Sequence, residues 1–223
     1  MRTENRKMRE KRNYVLTVEG ETEQWYFQWL KEQINKNDTR LFDVSMTISV
    51  QQKPSSYWKN VNKKSTPEIF HICDVESNSK GDTKKFESVL KEMKEAKKQK
   101  GIKYTLGYSN FTFELWMILH KMEDNHHYND KRKYLGSINR CFQEKFESLS
   151  QYKQESEFHR CLSKLSLEDV FAAVERAEKI RKNNEENSKV LKCSGYSYYC
   201  DNPSLTIDEV VKRILVECGV SVS

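Results

Sequence analysis

Apolar residues in the first half of the chain occur in short runs and alternations that are separated by stretches of helical periodicity. The short runs predict four strands, at residues 14–18, 42–50, 68–73 and 102–108. The periodic stretches predict helices that begin near residues 22, 57, 82 and 111. Strands that alternate with helices in this way are typical of an α/β fold with a mostly parallel sheet flanked by helices.

After residue 120 the pattern becomes helical. Helices are predicted at residues 137–149, 153–164 and 166–184, and from residue 206 to near the end. Residues 123–133 read as a polar loop, and residues 196–200 fit either a loop or a short strand. We expect a core at residues 13–120, a helical extension at residues 121–223 that packs on the core, and a basic flexible arm at residues 1–12.

Local signals mark where several of these helices begin and end. Thr22 and Ser166 are hydroxyl residues just before periodic segments, which predicts that each is the N-cap of its helix. Thr206, followed three residues later by Glu209, matches a capping box. Gly101 is expected to end the third predicted helix.

Composition and charge narrow the class of protein only slightly. Among 223 residues there are 39 Lys and Arg against 33 Asp and Glu, a formal charge of +6, which permits a polyanionic partner without requiring one. No apolar run approaches the ~18 residues of a membrane span, and the charged start lacks the apolar segment of a signal peptide. We therefore expect a cytoplasmic protein with no membrane partner.

The six cysteines are dispersed and form no C-x-x-C pair, which favours a reduced compartment over a disulfide framework. A zinc site from Cys193, Cys200, His126 and His127 is conceivable, but the gap between the cysteines does not match the usual ligand spacing. The cysteines therefore do not direct the functional hypothesis.

Acidic residues follow two of the predicted strands at the point where each strand ends. Glu19 and Gly20 follow the first strand, with Glu23 in the first turn of the next helix, and Asp74 and Glu76 follow the third strand. We expect Gly20 to allow an unusual turn, and Asp74 and Glu76 to face the same way because side chains alternate along a strand. Since sites in open α/β sheets form at the carboxyl ends of strands, the carboxylates are expected to bind Mg²⁺ or Mn²⁺, which would activate water for attack on a phosphodiester.

A structural interpretation of these residues stays open. Acidic residues at loop starts are commonly helix caps or solvated turns, so each short motif alone would more often be structural than functional. The ordered combination of strand, E-G-x-T-E, helix, two strands and D-x-E is what makes the pattern specific.

Six further polar residues are candidates for supporting or substrate-contacting roles. Glu114 lies on an otherwise apolar predicted helix, so it is either a site residue or the anchor of a salt bridge. His120 ends that helix and could contact a phosphate or cap the last carbonyls. The others lie close before helices and could equally stabilise them: Ser109, Asn110, Asn202 and Ser204.

Taken in order, these motifs resemble the Toprim fold of topoisomerases, bacterial primases and OLD-family nucleases, and more narrowly the RloB family of Toprim-like bacterial proteins. Four segments carry the resemblance: residues 15–23 (VLTVEGETE) with Tyr26 and Phe27, the strand that ends in residues 74–76 (DVE), residues 109–120 (SNFTFELWMILH) and residues 201–204 (DNPS). The resemblance spans about residues 14–215 and implies a Rossmann-like Toprim core with a C-terminal helical extension.

The resemblance also implies roles. Glu19 matches the family's lone glutamate, a proposed general acid/base or metal partner, and Asp74 with Glu76 matches its D-x-D metal pair. Beside these matches, we expect Glu23 to act with Glu19 in catalysis. A nuclease in a bacterial phage-defence (abortive infection) system is implied, often encoded beside an AAA-type ATPase. Two positions depart from the family pattern: Glu76 stands for the second aspartate, and Phe111 for the proline of the usual S-N-P.

Three functional hypotheses follow from the sequence. The leading one is a metal-dependent nuclease that cuts DNA or RNA. The second is a non-catalytic subunit that senses a nucleic acid or another ligand and regulates a partner ATPase. The third is nucleotidyl transfer, as in Toprim primases, and it lacks a recognisable nucleotide-binding segment.

Overall fold

The computed structural model describes residues 9–61, 68–128 and 130–220. A parallel sheet of four strands has the order β2-β1-β3-β4. The strands are β1 Lys11–Val18, β2 Asp43–Val50, β3 Glu68–Val75 and β4 Lys103–Asn110. The predicted α/β architecture with a mostly parallel sheet is confirmed.

Helices flank the sheet and form most of the second half of the chain. They are α1 Glu21–Lys36, α2 Pro54–Trp58, α3 Lys80–Lys100, α4 Glu114–Leu119, α5 Tyr134–Phe142, α6 Leu149–Tyr152, α7 Glu155–Leu162, α8 Leu167–Asn187 and α9 Ile207–Glu217. A 3-10 turn at Lys131–Lys133 precedes α5, and an antiparallel hairpin of β5 Leu191–Cys193 and β6 Tyr196–Tyr198 precedes α9. Within the described residues no helix has both the length and the apolar composition needed to cross a membrane.

Alternation along β3 divides the apolar core between the two faces of the sheet. Phe70 and Ile72 join the larger cluster, which contains α1, α4 and the helices after residue 120. Ile69 and Val75 point the other way and pack with α3 and the hairpin. The helical extension therefore shares one continuous core with the sheet.

The first strand begins earlier than the sequence predicts. Lys11 and Arg12 pair in register with Asp43 and Val44 of β2 instead of belonging to a flexible arm, and the Arg12 guanidinium lies 4.3 Å from the centre of the Phe42 ring. Backbone pairing therefore continues past the apolar run that marks the strand in the sequence. The rest of the predicted arm, residues 1–8, lies outside the described residues.

The predicted N-cap at Thr22 and the predicted capping box at Thr206 are wrong because the two hydroxyl groups bind elsewhere. The N-cap of α1 is Gly20, and the Thr22 hydroxyl donates to Glu23 (3.0 Å). Thr206 is the N-cap of α9 by position, but its hydroxyl accepts from the N–H of Tyr108 (3.1 Å), so no capping box forms. At Ser166 the predicted N-cap is confirmed, with its carboxylate partner at Asp169.

Several predicted boundaries shift where the backbone leaves helical geometry. The fourth helix begins at Glu114 and not near residue 111, because Phe111 has a positive φ of 65°. The helix predicted at residues 137–149 spans Tyr134–Phe142 and stops at Gln143, whose φ is 52°. Gly101 ends α3 in the left-handed conformation, as predicted.

Candidate functional site

Parallel pairing brings the two acidic motifs to one edge of the sheet. Val18 of β1 lies opposite Ile72 of β3, so Glu19 leaves its strand beside the end of β3. The Glu19 carboxylate accepts a hydrogen bond from the backbone N–H of Asp74 (3.0 Å), although the two residues are 55 positions apart. The ends of β1 and β3 are therefore in direct contact.

Gly20 has a different role from the one predicted. Its φ of −140° is ordinary extended backbone, so the turn there is not unusual. A Cβ atom at this position would lie 2.9 Å from the Glu23 carboxylate. Glycine leaves room here for the carboxylate of the following helix, which occupies the space that a side chain would take.

The end of β4 holds the Asp74 carboxylate through the backbone. Asp74 lies opposite Ser109 in the register of β3 and β4, and its carboxylate accepts from the N–H of Phe113 (3.3 Å). The chain turns back toward Asp74 at Phe111, whose left-handed conformation is rare for a bulky residue. Such backbone is found where the surrounding structure holds it, often at functional sites.

Glu23 and Glu114 form a buried layer behind this contact. Glu23 is 5% exposed and Glu114 is fully buried. The Glu114 carboxylate accepts from the Thr112 hydroxyl and forms an ion pair with Lys153, at the C-terminal end of α6 (Nζ to Oε1, 3.0 Å). Glu114 is thus the anchor of a salt bridge to the helical extension, and it adjoins the acidic site at the same time.

The carboxylates of Glu19, Glu23, Asp74 and Glu114 carry more negative charge than Lys153 can offset. Burial, followed by the charges of Glu23 and Glu19, raises the pKa of Asp74 well above its usual range. Burial, opposed by the Asp74 N–H and reinforced by neighbouring carboxylates, raises the pKa of Glu19 to about 7. Burial and the charge of Glu114 raise the pKa of Glu23. Binding a proton or a cation would reduce the repulsion among these carboxylates.

A cleft of about 490 Å³ opens over the contact between Glu19 and Asp74. Its walls carry charges of both signs, from Glu19, Lys53, Asp74, Glu76, Asp82, Lys85 and Glu92. Glu76 is largely exposed and pairs with Lys131 across the surface (3.2 Å). Glu23 and Glu114 do not line the cleft, so a ligand there would meet Glu19, Asp74 and Glu76 first.

These residues fit a hard cation that keeps part of its water shell. Magnesium is usually held by one or two protein carboxylates, with water and substrate oxygens as the other ligands. Glu19 and Asp74 supply that number of carboxylates, and Glu76 reaches the same cleft. In the part of the chain that the structure describes, no group of three or more His, Cys, Asp or Glu side chains is already arranged to hold an ion, and this includes the conceivable zinc site.

Of the supporting candidates, His120 lies away from the cleft. Its ring is buried and bonded on both nitrogens, to the Tyr26 hydroxyl (3.1 Å) and to the carbonyl of Trp116 (2.9 Å). Burial lowers its pKa to about 4. These contacts describe a neutral core histidine that joins α1 to α4.

The other candidates hold the segment before α9 against the end of β4. Asn110 donates to the carbonyls of Tyr199 and Asp201 (3.0 and 2.8 Å). The Ser204 hydroxyl bonds the Tyr108 hydroxyl (2.7 Å). Ser109 and Asn202 are likewise buried with polar partners, the Thr112 carbonyl and the Tyr134 hydroxyl. These residues brace the backbone that reaches Asp74 and do not line the cleft.

Sequence reasoning missed Lys153. It follows a short polar helix, and nothing local distinguishes it from the many exposed lysines of the chain. Its role depends on a contact with a residue 39 positions earlier, which only the tertiary structure provides. A signal was present at its partner, because an acidic residue within an apolar helix requires a counter-charge.

Comparison with known families gives one match. A family described as RloB-like protein matches residues 14–214, which is most of the chain. The protein belongs to the RloB-like family. No curated protein and no solved structure matches it significantly.

Proposed function

We propose that this RloB-like protein is a divalent-cation-dependent phosphodiesterase that cleaves nucleic acid, with Glu19 and Asp74 at the reacting centre. The observation that carries the proposal is their hydrogen-bonded contact, at the carboxyl ends of adjacent parallel strands and beneath an open cleft. The excess of carboxylates around this contact supports it further, because a cation would relieve their repulsion.

Each residue of the site would have a distinct task. Asp74, fixed by the Phe113 N–H, and Glu19 would hold Mg²⁺ or Mn²⁺, with Glu76 as a further ligand once it leaves Lys131. When bound, the cation would polarise a phosphoryl oxygen and make water more acidic. Glu19, with a pKa of about 7, is suited to exchange a proton near neutral pH. The charge of Glu23 would help keep the pKa of Glu19 raised.

A cleavage assay tests this proposal. The purified chain is incubated with supercoiled DNA and with structured RNA such as tRNA, with Mg²⁺, Mn²⁺ or a chelator. We expect cation-dependent cleavage that falls at least about 100-fold in Glu19→Gln and Asp74→Asn, the scale of losing acid–base or electrostatic catalysis. Glu92→Gln is the control, since Glu92 lines the same cleft but accepts from the N–H of Ser55. Full activity in Asp74→Asn would refute the assignment.

A second function fits one feature of the site. Because no three described side chains form a ready cation site, the cleft could serve recognition without cleavage. The protein would then sense nucleic acid or another ligand and regulate an AAA-type ATPase, a partner implied by the family resemblance. Cation-independent binding, with no stabilisation by Mg²⁺ or Mn²⁺ in thermal unfolding and no cleavage, would favour this function over the first.

The biological role follows from the resemblance and not from the site. We propose phage defence as that role, with cleavage of nucleic acid as its effector step. Cells that carry the full locus should lower the plating efficiency of a sensitive phage, and Asp74→Asn in this chain should restore it. Protection that survives Asp74→Asn would separate defence from cleavage.

A further inference from the structure

Helix α3 presents a row of lysines to solvent. Its apolar face, with Phe86, Leu90, Met93 and Ala96, is buried against the sheet. At 3.6 residues per turn the following lysines fall within an arc of roughly 80°: Lys80, Lys84, Lys91, Lys94 and Lys98. We call these five residues the lysine row. It extends over about 27 Å of helix, at 1.5 Å per residue.

The lysine row carries more charge than its own helix offsets. Glu87 lies within the same arc, between Lys84 and Lys91, and accepts from the Tyr198 hydroxyl, whereas the other carboxylates of α3 lie outside the arc. None of the five lysines forms an ion pair or hydrogen bond with any residue that the structure describes. Five ammonium groups against one carboxylate in the same arc form a positive surface.

The N-terminal end of the lysine row adjoins the cleft. Ser88 lines the cleft and lies one turn after Lys84, so the two are neighbours on the helix surface. Lys85 and Val89 of the same helix also line the cleft. A polyanion lying along α3 would therefore reach the rim of the cleft at the N-terminal end of the row.

The surface is not built for a lipid membrane. A helix that lies in a membrane interface exposes an apolar face opposite its charges. The apolar face of α3 is buried in the core, and among the described residues the exposed large apolar side chains (Leu41, Val50, Val190 and Val216) lie outside this helix. The positive surface of α3 has no exposed apolar side chains to insert into a membrane, as in proteins that bind phosphate backbones.

We infer that the lysine row is the surface that binds the phosphate backbone of a nucleic acid and guides it to the cleft. This inference rests on the proposed function, because it names where the substrate of that site lies. Each lysine would neutralise a phosphate and release a counterion, so binding should weaken steeply with salt.

Binding is measured by fluorescence anisotropy with a labelled DNA duplex of about 24 base pairs, longer than the ~27 Å row. A chelator is present throughout, so the result does not depend on cleavage. For the full chain we expect a slope of log affinity against log salt of about −4 to −5, from roughly 0.9 per phosphate contact. Labelled single-stranded RNA should give a somewhat shallower slope.

Lys91→Gln with Lys98→Gln should lower the magnitude of the slope by about 2 and weaken binding roughly thirtyfold at 0.15 M salt. The control is Lys145→Gln with Lys182→Gln, which removes the same charge from exposed positions on the other side of the sheet. Lys145 lies just after α5, and Lys182 lies on α8. This control should leave the slope nearly unchanged.

Three results would overturn the inference: no binding of either nucleic acid, equal losses in the two double variants, or tighter binding to phosphatidylserine vesicles than to the duplex. Failure of the proposed function has a different signature. In that case binding would keep its salt slope and its dependence on Lys91 and Lys98, while no cation would support cleavage. Cleavage that persists with unchanged affinity in Lys91→Gln with Lys98→Gln would instead refute the lysine row alone.

Discussion

At the residue scale, the candidate site depends on the missing side chain of Gly20. Gly20 leaves room for the Glu23 carboxylate, which would lie 2.9 Å from an added Cβ. Its backbone would accept any residue, so the requirement is one of space. The site therefore specifies glycine through packing of a buried charge and not through the geometry of a turn.

Gly20→Ala should consequently displace Glu23 without unfolding the protein. The carboxylate is the end of a side chain that can rotate, so we expect a loss of about 1 kcal/mol in the free energy of unfolding and a moved Glu23. Urea denaturation and a structure of the variant measure both. Gly136→Ala is the control, because an added Cβ there meets no atom within 4 Å. An unmoved Glu23 carboxylate would disprove the packing argument.

A second residue-scale prediction concerns pH. The Arg213 guanidinium donates two hydrogen bonds to Glu68 (2.8 and 2.7 Å) and lowers the pKa of Glu68 to about 2, from its usual 4.5. Because the folded pKa lies below the unfolded one, the pair stabilises the fold above about pH 4.5, and this stabilisation is lost as the pH falls toward 2.

Glu68→Gln should therefore be less stable than the parent at neutral pH and lose less stability between pH 4.5 and pH 2. Urea denaturation at a series of pH values measures the difference between the two curves. Glu32→Gln, at an exposed ion pair with Lys36, should follow the parent curve. Parallel curves for Glu68→Gln and the parent would show that the pair carries no pH-dependent stability.

At the element scale, Lys153 ties the helical extension to the candidate site. It is 40% exposed, whereas its partner Glu114 is fully buried on α4. Removing the lysine leaves a buried carboxylate without its counter-charge, whereas removing both charges leaves neither. The ion pair is therefore expected to show strong coupling between the two positions.

A double-mutant cycle of Lys153→Met and Glu114→Gln measures this coupling. We expect Lys153→Met alone to cost about 2 kcal/mol, less than the 3–5 kcal/mol of a fully buried pair, and the double variant to recover about half of the summed loss. The exposed pair of Lys36 and Glu32 serves as a control and should give additive effects. Additivity at Lys153 and Glu114 would show that the ion pair does not connect the two elements.

The elements also show what the sequence could predict. The alternation in β2 and the apolar run in β3 suffice to identify both strands, because burial on a sheet face leaves a local pattern. The acidic ends of β1 and β3 were predictable because parallel strands end at one edge. Lys153 and the bonding of Thr206 to β4 were not, because each depends on a partner far along the chain. The positive φ of Phe111 has no signal in the residue type.

At the scale of the whole molecule, the sheet and the helical extension are parts of one core. Gly107 of β4 approaches α9 so closely that an added Cβ would lie 3.1 Å from Val210. Buried residues of α4, such as Trp116, belong to the same apolar cluster as Phe158 and Val174 of the extension. Removing the extension would expose this face of the sheet to water.

A fragment that ends at residue 120 should therefore fail to fold alone. The buried side chains of α4, including Leu115, Trp116 and Ile118, would lose their covering, and exposed apolar surface of this kind causes aggregation. Sedimentation and thermal unfolding of the fragment, with the full chain as reference, measure the effect. A monomeric fragment that unfolds cooperatively would establish residues 13–120 as an independent domain.

The central claim, that the ends of β1 and β3 form one cation site, is tested most directly by crystals of the protein soaked in Mn²⁺. We expect an anomalous difference peak within about 2.5 Å of carboxylate oxygens of both Glu19 and Asp74, absent from crystals of Asp74→Asn treated in the same way. A peak elsewhere, or no peak under conditions in which Mn²⁺ supports cleavage by the same preparation, would contradict the account.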